Sequence, residues 1–277
     1  MNELNESTLD PTERFSFGKN WSLFLKNLTD EQIDDAESSL KNKLGCSNLI
    51  GKTFLDVGSG SGLFSLAAYR LGATVRSFDY DQDSVDCALF LKEKFKISHD
   101  RWSIQQGSVL DKNFLKQFGQ VDIVYSWGVL HHTGNMLTAF ENVSNLVKPN
   151  GQLFIAIYND QGLPSKGWAF VKKMYVNYPV FRPVLITLSG LWLWKYRIIW
   201  GLVRYGNPFK FFIEYSKTKR GMSPYRDLVD WVGGYPFEVA KPETVLDFFR
   251  PKGYELERLK TCAGRIGCNE FIMLKKD

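Results

Sequence analysis

Short apolar runs alternate with amphipathic stretches through the first 157 residues. Thr53-Phe54-Leu55 ends in Asp56, and Ala73-Thr74-Val75-Arg76-Ser77-Phe78 ends in Asp79. Trp102–Gln106, Val121–Trp127 and Leu153–Ile157 are three further β-rich segments. Between them lie helical patterns: Leu63, Phe64, Ala67, Ala68 and Leu71; then Val85, Ala88, Leu89 and Phe95; then Met136, Leu137, Phe140, Val143, Leu146 and Val147. Continuous apolar strands bounded by helices predict a parallel sheet covered on both faces, a doubly wound α/β fold. Lys148-Pro149-Asn150-Gly151 predicts a sharp turn into the fifth strand. Upstream, Thr29-Asp30-Glu31-Gln32 has the form of a capping box. Ile33, Ala36, Leu40 and Leu44 follow at helical spacing, and Gly45 suits the position just past the helix end.

Composition changes this picture in one region only. Residues 160–241 hold 13 Lys/Arg against 5 Asp/Glu, a net of +8, whereas the whole chain of 277 residues carries +5. The same stretch holds five of the eight tryptophans, Trp168, Trp192, Trp194, Trp200 and Trp231. Four scattered cysteines, none in a C-x-x-C pair, imply reduced thiols and no zinc site, and no metal is expected. The acidic, polar start Met1-Asn2-Glu3-Leu4-Asn5-Glu6 is unlike a signal peptide and points to a cytoplasmic protein.

The candidate chemistry begins at Leu55-Asp56-Val57-Gly58-Ser59-Gly60-Ser61-Gly62. A strand, a tight glycine turn and a helix start let a ligand approach the backbone, because a Cβ at any of these glycines would hold it away. The spacing is neither a phosphate loop with its lysine nor G-x-G-x-x-G, since position 63 is Leu63. Asp79 ends the second strand, where a carboxylate can accept from both hydroxyls of a ribose, and Tyr80 beside it offers a ring face to a base. A helix-cap role for Asp79 fits the residues alone about equally well, because Asp81, Asp83 and Ser84 crowd the same loop.

Five motifs taken together resemble the class I S-adenosylmethionine-dependent methyltransferases. They are Leu55–Gly62; Phe78-Asp79-Tyr80; Gly107-Ser108-Val109; the run from Asp122 to His132; and Leu146-Val147-Lys148-Pro149-Asn150-Gly151, in the family's order across residues 50–157. The branch it is similar to is the small-molecule and quinone group with a Val129-Leu130-His131-His132 loop. The resemblance implies a Rossmann-like, seven-stranded, mostly parallel sheet and S-adenosylmethionine as cofactor. It implies that Asp56, with Gly58, Ser59 and Gly60, holds the methionine end, that Asp79 takes the ribose, and that Tyr80 packs on adenine. Ser108 and Val109 then lie at the adenine edge, where the family often has Asp in place of Ser108. Ser126 and Trp127 line the floor beside the sulfonium. His131 and His132 are the candidate bases, although a loop-building role fits them as well. Tyr158, Asn159 and Asp160, just past the fifth strand, are candidates for acceptor contact. Phe15, Phe17 and Trp21 are placed either to close over the cofactor or to pack as an ordinary helix.

After the fifth strand this fold needs one helix and an antiparallel strand pair, which Pro242–Phe249, Tyr254–Leu259 and Glu270–Leu274 supply. The expected organisation is a helical segment over 1–48, a cofactor-binding core over 49–159 and 242–277, and an aromatic, basic helical cap over 160–241. Within the cap, Leu185, Leu188, Trp192, Tyr196, Ile199 and Val203 share one helix face, and Arg197 and Arg204 another. Lys195 and Arg197 cost about 5–7 kcal/mol on an insertion scale, which cancels the apolar gain of roughly 3–6 kcal/mol, so a spanning helix is not expected. Two readings stand: a lid packed on the core or on a second subunit, and an interfacial helix at the membrane surface. No RNA-binding module is recognisable, which disfavours nucleic acid. The expected activity is methyl transfer to a heteroatom, oxygen first, of a small or lipid- or glycan-linked acceptor. The alternatives are an RNA or protein methyltransferase and a non-catalytic cofactor-binding regulator.

Overall fold

A computed structural model describes residues 15–218 and 223–277. The acidic start Met1–Glu6 and the basic pair Lys219 and Arg220 lie outside the described residues. The chain opens with helices α1 (Gly18–Leu25) and α2 (Asp30–Leu44). In α2 the capping box forms: Gln32 N–H donates to Thr29 Oγ1, and Thr29 N–H donates to Gln32 Oε1. Gly45 closes the helix in the left-handed region at φ 66°.

Four strand–helix units and a fifth strand follow: β1 (Thr53–Val57), α3 (Leu63–Arg70), β2 (Thr74–Asp79), α4 (Gln82–Lys94), β3 (Trp102–Gln106), the short α5 (Lys112–Leu115), β4 (Val121–Trp127), α6 (Met136–Asn145) and β5 (Val147–Tyr158). Among the described residues four helices then run without a strand: α7 (Leu163–Asn177), α8 (Arg182–Tyr205), α9 (Lys210–Thr218) and α10 (Pro224–Gly233). The chain ends with α11 (Pro242–Phe249), β6 (Tyr254–Lys260) and β7 (Cys268–Lys275).

The seven strands lie in the order β3-β2-β1-β4-β5-β7-β6. The first five are parallel, and β7 runs antiparallel between β5 and β6. Alternation along each strand sends residues to opposite layers. Phe54, Val75, Trp102, Ile123 and Phe154 pack with the α1–α4 side, whereas Leu55, Val57, Phe78, Val124 and Ile155 pack with α6 and α11. The expected turn at Lys148–Gly151 is instead part of β5: Asn150 takes φ 58° and the pairing with β4 slips between Val121 and Ile123, so the segment bulges without leaving the sheet.

The excursion from β5 to α11 begins and ends at one point. Asn159 and Ala240 form an isolated parallel bridge, with Ala240 N–H donating to Tyr158 O at 3.0 Å and Asp160 N–H donating to Ala240 O at 3.2 Å. Its helices gather around a third cluster built on Tyr175, Leu228 and Val232, joined by Phe15 from the N-terminal segment. Of the apolar face read from the sequence of α8, only Leu185 turns into this cluster, where Ile186, Leu193 and Trp194 join it from the neighbouring positions. Leu188, Trp192, Tyr196, Ile199 and Val203 face outward, and it is Ser189, Gly190 and Gly201 that are buried. Small residues face inward because the neighbours stand close: a Cβ on Gly190 would lie 3.0 Å from Leu228 Cδ2.

Candidate functional site

The glycine turn between β1 and α3 is tied to the end of β2. The N–H groups of Gly58 and Ser59 both donate to Phe78 O, at 2.9 and 3.1 Å, and Gly62 N–H donates to Ser59 O at 2.8 Å. Gly58, Gly60 and Gly62 have φ of 79°, 53° and 77°, which an L side chain rarely adopts. Gly58 has no room besides: a Cβ there would sit 2.4 Å from Val129 Cγ1. Gly58→Ala is therefore expected to cost about 1–3 kcal/mol and to reopen the turn. Gly45, also left-handed but with nothing within 4 Å, is the control. Thermal denaturation of Gly58→Ala beside Gly45→Ala separates the clash from the backbone strain they share.

Asp79 closes the turn from the other side. Its Oδ2 accepts from Gly60 N–H at 2.8 Å and its Oδ1 from Asp81 N–H at 3.0 Å. Burial pushes its carboxyl up to about 6, opposed by those backbone hydrogen bonds. Asp56 lies deeper. Ser65 Oγ–H donates to it at 2.7 Å, and burial raises it to about 7. Two carboxyls raised by burial at the carboxyl ends of adjacent strands mark the crevice where open α/β sheets take their ligands.

A cavity of ≈ 110 Å³ lies there. Of the candidate site residues named from the sequence, Gly58, Asp79, Tyr80, Ser108, Val109 and His132 line it, as do Phe15 and Phe17. Gly60 stands at its edge beneath the Trp21 indole, and the buried Ser59 Oγ has no hydrogen-bond partner among the described residues. The others are not on its wall. Asp56 is buried beneath the turn, and Ser126 Oγ–H donates to Val57 O at 2.9 Å. Trp127 is partly exposed outside the lining. Asn159 Nδ2 donates to Arg265 O, and Asp160 Oδ1 accepts from Gly162 N–H, so both serve loop hydrogen bonds.

His131 and His132 differ in setting. His131 is fully buried: Tyr158 N–H donates to its Nδ1 at 3.3 Å, and the ring of Tyr158 stacks 4.0 Å away. His132 faces the cavity, with Nδ1 2.6 Å from Pro236 O. A carbonyl only accepts, so Nδ1 carries the proton and Nε2 keeps its lone pair. Burial and the charge of Lys172 push His132 down to about 3, and His131 falls well below its usual range for the same reason, with His132 adding to it. Both imidazoles are neutral at physiological pH.

Phe15 and Phe17, two of the three aromatics singled out near the N-terminus, close the cavity from outside, together with Tyr235 and Pro236, which motif reading passed over. Behind His132, the buried Lys172 Nζ sits 4.3 Å from the Trp231 ring and 4.7 Å from the Phe237 ring, and donates to Trp231 O. Burial lowers Lys172 to about 7 and raises Asp230, which accepts from Asn20 Nδ2 at 2.5 Å, to about 7. One signal for Lys172 was present: Trp168, Lys172 and Tyr175 fall at i, i+4 and i+7, which puts a lysine on the buried face of α7.

Known proteins agree with this architecture. Residues 55–155 match the family model described as a methyltransferase domain. The ubiquinone biosynthesis O-methyltransferases of Pelagibacter ubique and Glaesserella parasuis are 30% identical over 122 residues and 33% identical over 118. These matches take in 44% and 41% of this chain, and the chain spans about half the length of each relative, 48% in both cases. Among solved structures, the magnesium protoporphyrin IX methyltransferase of Synechocystis PCC 6803, with S-adenosylhomocysteine bound, superposes with a TM-score of 0.51 at 13% identity, over 93% of this chain and 86% of that one. The [4+2]-cyclase SpnF superposes at 0.53 with 12% identity, over 88% and 81%. A cyclase on the same scaffold shows that the fold by itself does not select the reaction. Residues 55–155 thus match a methyltransferase domain, and the chain as a whole has the fold of the magnesium protoporphyrin IX methyltransferase.

Proposed function

We propose that the chain is an S-adenosylmethionine-dependent methyltransferase that methylates an oxygen of a small or lipid- or glycan-linked acceptor. The observation that carries this reading is the shape of the crevice: three left-handed glycines and the unpartnered Ser59 hydroxyl meet a carboxylate at the end of β2. Such a cradle suits a nucleoside with a charged amino-acid tail. When bound, the cofactor supplies an electrophilic methyl group on a sulfonium. Asp79 would accept from the ribose hydroxyls, and Tyr80 would cover the base. Ser108 and Val109 would border the adenine, and Asp56 with the turn amides and Ser59 would answer the methionine end. Ser126 and Trp127 would stand nearest the reacting methyl. At ≈ 110 Å³ the cavity is smaller than a small-molecule pocket of about 300 Å³ or more. Phe15, Phe17 and the Tyr235-Pro236 segment would therefore move outward to admit it.

For the acceptor side, His132 is the better placed of the two histidines to take a hydroxyl proton, because it lines the cavity with Nε2 free of the proton. Tyr158, Asn159 and Asp160, where the chain leaves the sheet, would contact the acceptor. A base that stays neutral down to about pH 3 does not switch off in mild acid. With cofactor saturating at every pH, kcat should therefore show no inflection from His132 near pH 6.5, where a free histidine would titrate. His132→Gln is expected to lower kcat by about 10²-fold or more with cofactor affinity little changed. Single-turnover release of S-adenosylhomocysteine, paired with calorimetric cofactor binding, measures both. Release of S-adenosylhomocysteine with cell extract and methyl-labelled cofactor tests the reading itself. Tight cofactor binding with no labelled product from any extract fraction would favour a regulator over an enzyme.

A further inference from the structure

The outward face of α8 asks for a covering partner. Along it Leu188, Trp192, Tyr196, Ile199 and Val203 recur at intervals of three or four residues, and their exposure runs from 50% at Trp192 to 77% at Val203. Phe209 and Ile213, on and before α9, extend the same apolar surface at 65% and 66% exposed. Single exposed apolar side chains are ordinary on a protein surface, but a contiguous stripe along a helix about 36 Å long is not.

Charge says what kind of partner fits. From Gln161 to Ile213 there are eight Lys/Arg and no Asp or Glu. Lys195 Nζ lies 5.0 Å from the Trp192 ring and 5.0 Å from the Tyr196 ring, so an ammonium stands on the apolar stripe itself. Arg197 lies 4.4 Å over the Phe211 ring, and Arg204 follows at the helix end. Among the described residues no carboxylate is within ion-pair distance of Lys195, Arg197 or Arg204. A second copy of this surface would bring the same Lys195, Arg197 and Arg204 charges to the interface and so add like charge to it. An anionic lipid surface neutralises them and takes the aromatic rings at the depth of its headgroups. No described helix is long and apolar enough to cross a membrane, so the helix would lie along the surface.

We infer that the outward faces of α8 and α9 dock the protein on an anionic phospholipid bilayer, with Trp192 and its apolar neighbours inserted and Lys195, Arg197 and Arg204 at the headgroups. The docking stands apart from the methyl-transfer reading, because vesicle binding needs neither cofactor nor turnover. Co-sedimentation of the full chain with phosphatidylcholine vesicles, with and without phosphatidylglycerol, tests it. The expected result is sedimentation with the phosphatidylglycerol vesicles only, weakened by salt. Leu188→Glu/Trp192→Glu and Lys195→Glu/Arg197→Glu should each weaken it by about tenfold or more. Leu137→Glu, on the exposed side of α6, should leave it unchanged. All four positions of the docking variants are on the exterior of the helix, and an unchanged thermal midpoint confirms that those proteins are folded. No sedimentation of the unaltered protein, or sedimentation indifferent to both double substitutions, overturns the inference. So does a dimer in sedimentation velocity that Leu188→Glu/Trp192→Glu dissociates, which would assign the face to a second copy.

Discussion

Asp79→Ala is expected to weaken S-adenosylmethionine binding by about 30- to 1000-fold. On the proposed reading the carboxylate would make charge-assisted hydrogen bonds to a ribose, and losing such a set costs about 2–4 kcal/mol. It also holds Gly60 N–H at 2.8 Å, so its loss loosens the turn that forms the other wall of the site. Asp79→Asn separates these effects: it keeps the shape but gives up the charge and one acceptor. The pH dependence has a definite sign. Burial raises Asp79 to about 6 and Asp56 to about 7 in the empty site. The ammonium of the cofactor favours the ionised forms, so affinity should be full above pH 7 and fall as pH drops through 7 and 6. Calorimetric titration at pH 8 and pH 5.5 measures it. An affinity independent of pH, or an Asp79→Ala protein that binds normally, would remove Asp79 from the cofactor site.

Trp102→Ala is expected to be the most destabilising single change in the core, by about 3–5 kcal/mol. Trp102 is fully buried on β3, and its Nε1–H donates to Ser77 Oγ on β2 at 2.9 Å. Its ring also lies beneath the glycine turn, where a Cβ on Gly62 would come within 3.5 Å of Cη2. Truncation leaves a large hole, an unpartnered hydroxyl and an unsupported turn. Urea denaturation should therefore show the loss of stability, and the folded fraction should bind cofactor less tightly. A midpoint shift no larger than that of an exposed substitution would show that the site collapses around the hole.

The sheet and one wall of the site were legible because their signals are local. A strand, its glycine turn and the next helix occupy about a dozen residues, and Asp79 is recognisable as the acid that ends a strand. Of the opposite wall only Phe15 and Phe17 were legible; the rest was not, because its contacts join distant segments. His132 meets Pro236 across 104 positions, and Asn20 meets Asp230 across 210. No periodicity predicts such pairings. The α8 helix shows a third case. Its pattern marks an apolar stripe but not the direction in which the stripe points. That is decided by close packing, and here Gly190 and Ser189 take the inner side. The usual equation of apolar with inward fails there. The roles of Asp56, Ser126 and Trp127 have a different difficulty: the motif names them, yet none lies on the wall of the cavity in its closed form.

The bridge between Asn159 and Ala240 makes the sheet a socket. The chain leaves and re-enters at two fixed points a hydrogen bond apart, so the core imposes the same boundary on whatever lies between. Closing a longer loop at such points is inexpensive, about 0.6 kcal/mol for each doubling of length. Helices can be lengthened, lost or exchanged there without disturbing the glycine turn or the strand register. The inserted helices can then change by recombination at one site while the sheet and its glycine turn stay as they are.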